Sequence, residues 1–361
     1  MGFWSSLFGE EDPQKPARPA ASRHLPSTMV AREFGEVNVK RAGGETEVRF
    51  TILMEPIGAE GWQTGVALDA SGSMMPAFGK GLTHGPKGDP PASLLAEYKK
   101  KDWLDEYPQP GGKVHRLYSM EAKADLVARG HSVWTKNEVE PLAREATAYL
   151  ASKLDADGGT TVIYWACGDG NGIEVVGDLT AEQCKTAHFG GPKSVEFGAS
   201  THLLPAMKYF AERFKDAENG MYLFITDGEL NDLSQVKAYT VGLCREIAAS
   251  QRHPLKCVLI GVGDAINEKQ MEELDDLDSG TEVDIWDHKI AREMRGLVEI
   301  FAEVVSEHAI VAPSAKIYDA AGNVVADFPK GLPGKVTFTM PASSGFFELE
   351  VNGQRVRQPV A

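Results

Sequence analysis

No run of about eighteen or more apolar residues occurs in the chain, so a transmembrane helix is not expected. The first residues, MGFWSSLFGEEDP, have neither the basic start nor the unbroken apolar core of a secretory leader, and secretion is not expected either. Basic side chains are in short supply: 37 Lys and Arg stand against 52 Asp and Glu, a formal net charge of −15. Nucleic-acid binding draws its affinity from cations placed on phosphates, so that class of partner is excluded. Cations and basic surfaces suit such a chain better. Cysteine is scarce too, with Cys167, Cys184, Cys244 and Cys257 and no CxxC spacing among them. Cys167 and Cys257 lie inside apolar runs, which points to buried reduced thiols in a reducing compartment, the cytoplasm, and away from disulfides or a zinc site.

What is present is an ordinary globular balance, 42% apolar and 25% charged over 361 residues, enough for two structured units or one large α/β unit with appendages. Residues 1–27 read as a flexible tail. Within it Phe3, Trp4, Leu7 and Phe8 could line one face of a short helix making weak contact with a membrane surface, and 10–27 is a linker rich in Pro, Ala and charge. Residues 28–60 hold two strand-like alternations about the turn Ala42-Gly43-Gly44 and are expected to join the C-terminal β unit.

From 61 to 309 the pattern is apolar strands (GVALD, TTVIYWACG, MYLFITD, LKCVLIGVG) separated by helices. Strands apolar on both faces with helices between them predict an α/β fold: a doubly wound, mostly parallel, Rossmann-like sheet with helices on both faces. The last helix, near 289–308, would bury a stripe of Ile290, Met294, Leu297, Phe301, Val304 and Val305. Residues 310–361 return to alternation, with Asn352-Gly353 as a hairpin turn, and predict a small antiparallel β domain. One stretch, 76–131, interrupts the rhythm as an insertion far longer than ordinary connections, at the sheet edge where ligands bind.

The chemistry is concentrated at strand ends. Asp69-Ala70-Ser71-Gly72-Ser73 closes the first core strand, Gly198-Ala199-Ser200-Thr201 opens a helix, and Asp227-Gly228 ends MYLFITD. These loops offer hard oxygen ligands, which suit Mg2+, Mn2+ or Ca2+ and not zinc. Gly72 is read as the residue that lets the first turn close.

DASGS, a Thr-led helix (THLLPAM) and FITDGE together resemble the metal-ion-dependent adhesion site of von Willebrand factor A (VWA) domains over about residues 61–308. The resemblance places Asp69, Ser71, Ser73, Thr201 and Asp227 at a metal ion, with the serines and threonine as direct ligands. Within that family, LFITDGE and LDDLD look closest to bacterial intracellular proteins of the tellurium-resistance type. The sequence departs from the family where Ala199-Ser200 replace the usual Gly-Gly. The function so implied is a non-catalytic module gripping a protein partner whose Asp or Glu completes the coordination of Mg2+. Alternatives are a structural subunit or adaptor of a larger assembly, such as one with a MoxR-type AAA+ ATPase, and a Mg2+-dependent hydrolase. The hydrolase reading lacks a nucleophile with an adjacent base.

Other signals carry less. Asp155-Ala156-Asp157-Gly158 lacks the later ligands of an EF-hand and reads as a turn after a helix. Gly168-Asp169-Gly170-Asn171-Gly172 reads as a hairpin turn, not a dinucleotide fingerprint. Glu272 to Asp278 and Lys99-Lys100-Lys101 read as solvated runs, and His202 as a surface or packing residue beside the metal loop.

Overall fold

The computed structural model describes residues 23–26, 29–54, 62–109, 111, 114–263, 266–294 and 310–360, which divide into two compact units, 1–57 with 305–361 and 58–304. The tail of residues 1–22, with its proposed membrane-facing side chains, and all of the expected last helix beyond residue 294 lie outside the described residues.

The first unit is built from both ends of the chain. Glu45–Ile52 alternates as the sequence suggests, burying Thr46, Val48 and Phe50 and exposing Glu45, Glu47 and Arg49. It pairs antiparallel with Lys335–Pro341 so that Phe50 meets Val336, Val48 meets Phe338 and Thr46 meets Met340. All the partners on that face are buried, and a one-residue slip would turn them to solvent, so the register is fixed by hydrophobic pattern. Phe34–Ala42 and Arg23–His24 complete this four-stranded sheet. A second antiparallel sheet holds Val324–Phe328, Ala315–Tyr318, Phe346–Val351 and Gln354–Pro359, in that order. Four rings join the two, Phe347 lying 5.7 Å from Phe34, 5.0 Å from Phe50 and 5.1 Å from Phe338 between centroids.

The second unit holds one six-stranded sheet of Trp62–Asp69 (β1), Gly159–Cys167 (β2), Gly172–Thr180 (β3), Asn219–Thr226 (β4), Leu255–Gly261 (β5) and Trp286–Ile290 (β6), in the order β3-β2-β1-β4-β5-β6. The pairings β1-β2, β1-β4, β4-β5 and β5-β6 are parallel, and the edge hairpin β2-β3 is antiparallel. Val66, Ala67 and Leu68 are all fully buried, which explains why β1 shows no alternation in sequence. Helices Val139–Lys153 (α1), Ala181–Thr186 (α2), Leu204–Arg213 (α3), Leu233–Ala248 (α4) and Glu268–Asp275 (α5) flank the strands. Phe210 of α3 lies flat on Tyr222 of β4 at 5.0 Å and reaches β1 at Gly65, where a Cβ would stand 2.3 Å from its ring. Gly65 is thus the seat on which α3 rests.

The expected fold class is corrected by the balance of elements. Among the described residues strand accounts for 39% and helix for 26%, and five of the six sheets found there are wholly antiparallel, so parallel pairing is confined to one sheet. The physical reasons are specific. The terminal segments make two four-stranded sheets and a short pair where one small β domain was expected. The insertion contributes two further hairpin pairings, Leu82–His84 with Ser132–Trp134 and Leu104–Pro108 with Val114–Tyr118. It also folds helices Ala92–Lys100 and Met120–Ala128 around its own core of Leu94, Tyr98, Leu104, Ala122 and Leu126. Finally, Lys289 and Ile290, assigned to a helix on periodicity, belong to strand β6.

Candidate functional site

Asp69 ends β1 with its carboxylate wholly buried. Its Oδ1 accepts the Ser71 backbone N–H at 2.8 Å, and its Oδ2 accepts the Thr226 hydroxyl at 2.6 Å. That hydroxyl in turn accepts the Gly228 N–H at 3.0 Å. Thr226 ends the neighbouring parallel strand β4, and adjacent parallel strands deliver their carboxyl ends to the same edge. Burial pushes the Asp69 carboxyl up to about 7; the bonds from Thr226 and Ser71 oppose this, and the charge of nearby Asp227 adds to it.

The remaining loops are tied in by main chain. Gly72 N–H donates to the Gly198 carbonyl and Gly198 N–H to the Ala70 carbonyl, each at 2.8 Å, while Ala70 N–H donates to Trp165 of β2. The approach is so close that a Cβ on Gly198 would stand 1.8 Å from the Ala166 carbonyl oxygen. Gly72 was given the role of closing the turn, but a Cβ there would meet only the Gly198 carbonyl, at 3.2 Å, so Gly198 is the residue with no alternative.

Ser71 and Ser73 bring their hydroxyls to 3.0 Å of each other, the first buried and the second exposed on the short turn Gly72–Met74. Thr201 is buried, its N–H donating to Asn231 Oδ1 at 2.7 Å and its carbonyl accepting the Asn231 N–H at 2.8 Å. Asp232 is also buried, and its carboxylate accepts the N–H groups of Leu203 and Leu204 at 2.9 Å, closing the start of α3 from outside the helix. Asp227 is 6% exposed, and its carbonyl accepts the Asn267 N–H ahead of α5. Asp69, Ser71, Ser73 and Asp227 therefore share one strand edge, with Thr201 fastened to the loop that follows Asp227. Sequence reasoning passed over Thr226, Asn231 and Asp232; the Asn-Asp pair directly before α4 is a capping signature that could have pointed to the last two. His202 turns to the hairpin, its Nδ1 2.9 Å from Asn171 Oδ1.

No family model and no curated protein matches the chain. Among solved structures it is similar to the pilus adhesin SpaC from Lactobacillus rhamnosus GG, at 12% identity and TM-score 0.35, covering 91% of this chain and 46% of that one. It is also similar to three N-terminal domains of the type V pili tip protein Mfa5 from Porphyromonas gingivalis, at 7% identity and TM-score 0.27, covering 96% and 78%. Among the described residues, no group of three or more His, Cys, Asp and Glu side chains that could hold a metal is gathered, and the cluster above has two carboxylates. The VWA assignment and its tellurium-resistance placement are corrected accordingly, since no family model or curated protein shows a family for the chain and no metal-holding group of that kind is gathered among the described residues. The function derived from that assignment, partner capture through a bound Mg2+, falls with it, as do its adaptor and hydrolase alternatives.

Proposed function

We propose that Asp69, Ser71, Ser73, Thr201 and Asp227 form a site for a single divalent cation, Mg2+, Mn2+ or Ca2+, and that the chain binds and does not catalyse. The observation that carries this reading is the setting of Asp69: a fully buried carboxylate with no Lys, Arg or His paired to it among the described residues. Buried anions are normally met by a cation, and the donors beside this one are all oxygen. A bound cation would supply positive charge there, while the backbone ties through Gly198 hold the hydroxyls in place. Catalysis is set aside because these residues include no nucleophile beside a His or Lys base.

No described helix is long and apolar enough to cross a membrane. The four cysteines are buried and unpaired, which supports a reducing compartment such as the cytoplasm.

The direct test is calorimetric titration of metal-stripped protein with Mg2+, Mn2+ and Ca2+, beside the Asp69→Asn and Thr201→Val variants. A single site lost or weakened at least about tenfold in both supports the reading. Equal binding by all three proteins, or none in any, removes it.

A further inference from the structure

The insertion is a positive island in an acidic chain, with nine Lys and Arg against seven Asp and Glu between residues 76 and 131. Between its two hairpins and helix Met120–Ala128 lies a cavity of about 410 Å3, within the range of small-ligand sites. Its walls include Leu82 and Leu126, and its polar lining includes Arg116, Lys123, His84 and Ser132. Asp89 is the single acid in that lining, and it is highly exposed beside His84.

Two features distinguish this from a solvated basic surface. Lys123 is half-buried; its ammonium donates to the Lys80 carbonyl at 3.4 Å, and no carboxylate pairs with it among the described residues. Burial holds its pKa below the usual lysine value, the mark of a cation short of a counter-charge. Arg116 donates its Nε to Glu106 Oε1 at 2.9 Å, and Lys99 also pairs with that carboxylate, so the guanidinium is fixed in orientation. A fixed fork and a half-buried ammonium over an apolar floor suit a doubly charged oxyanion attached to a small apolar body.

We propose that the insertion cavity binds a small organic phosphate, with Arg116 and Lys123 contacting the phosphoryl oxygens and Leu82 and Leu126 facing its apolar part. This site is separate from the strand-end cluster and stands whether or not that cluster takes a cation.

The test uses the whole chain in EDTA, so that a cation cannot recruit phosphate. Phenyl phosphate is titrated against isotope-labelled protein and followed through the amide signals of residues 82–84, 116–118, 123 and 131–132. Saturable shifts with a Kd below about 1 mM, weakened at least about tenfold in Lys123→Gln and in Arg116→Gln, are expected. Absence of shifts at about 10 mM overturns the proposal. So does equal binding of benzoate, which would reduce the effect to bare charge attraction, or unchanged affinity in Lys123→Gln. Should Arg116→Gln lose the hairpin through its tie to Glu106, Lys123→Gln decides alone, since its side chain holds no carboxylate.

Discussion

Thr226 donates its hydroxyl to the buried carboxylate of Asp69 at 2.6 Å, across 157 residues of chain. The bond joins the carboxyl ends of two adjacent parallel strands and sets the orientation of the acid on which the candidate site turns. Replacing Thr226 by the near-isosteric Val removes the donor and leaves the carboxyl group in place, which should cost about 1–3 kcal/mol because a buried polar group loses a partner. Urea unfolding of Thr226→Val beside Thr226→Ser measures it. A serine that restores most of the loss assigns the effect to the hydroxyl, and a cost below about 0.5 kcal/mol in Val would mean that the carboxyl relies on other partners.

Gly198 and Gly242 make a matched pair for the close approach of loop to strand. Gly198→Ala forces a methyl group onto the Ala166 carbonyl and should destabilise by about 2 kcal/mol or more. Gly242, in α4, has open space where a Cβ would stand, and Gly242→Ala should stabilise by about 0.5–1 kcal/mol. Thermal and urea midpoints that move in the same direction for both would contradict the geometry.

Asp232 should act as a cap for a helix other than the one it precedes. Asp232→Ala leaves the N–H groups of Leu203 and Leu204 without their acceptor and should cost about 1–2 kcal/mol. Hydrogen exchange at the start of α3 reads the local effect: faster exchange there, ahead of the rest of the unit, is the expected result, and unchanged protection would show that another acceptor takes over.

His288 on β6 gives a pH dependence whose sign is fixed by its partner. Its Nδ1 faces the Asp275 carboxylate at the end of α5; that hydrogen bond raises the imidazole pKa, burial and Lys289 oppose, and Glu272 adds to the rise. A folded-state pKa above the unfolded value means stability that is fully present below about pH 6.5 and is lost as pH climbs through the raised value. Wild type should lose stability relative to His288→Gln over that window, measured by urea unfolding at steps from about pH 5 to about pH 9. Parallel curves for the two proteins would discount the pair.

In the first unit, Phe347 meets three other rings and is fully buried. Phe347→Ala should cost about 3–5 kcal/mol through lost transfer energy and the void left behind. A smaller cost, under about 1.5 kcal/mol, would indicate that the cluster collapses around the gap.

Much local structure is legible in the chain because it depends on neighbours in sequence. The run around Val66 is a strand because it is apolar throughout, Glu45–Ile52 is one because it alternates, and Asp69 stands at a strand end because polar and glycine residues follow it at once. Ile290 shows where such reading fails: its spacing to Met294 fits a helix, yet pairing of β6 with β5 makes it a strand residue. The hairpins of the insertion are silent in the sequence for a related reason, since short strands closed around Tyr98 and Leu126 give little periodicity to detect.

By itself the sequence determined which residues can be buried, where single strands end and which oxygen-bearing side chains lie at those ends, since each follows from local composition and period. Only the tertiary structure decided that Glu45–Ile52 pairs with Lys335–Pro341, that the Gly198 backbone locks between Ala70 and Gly72, and that Thr226 reaches Asp69. Those choices rest on register and close packing between segments far apart in the chain, where a difference of one residue, or of one methyl group, determines whether two loops can meet.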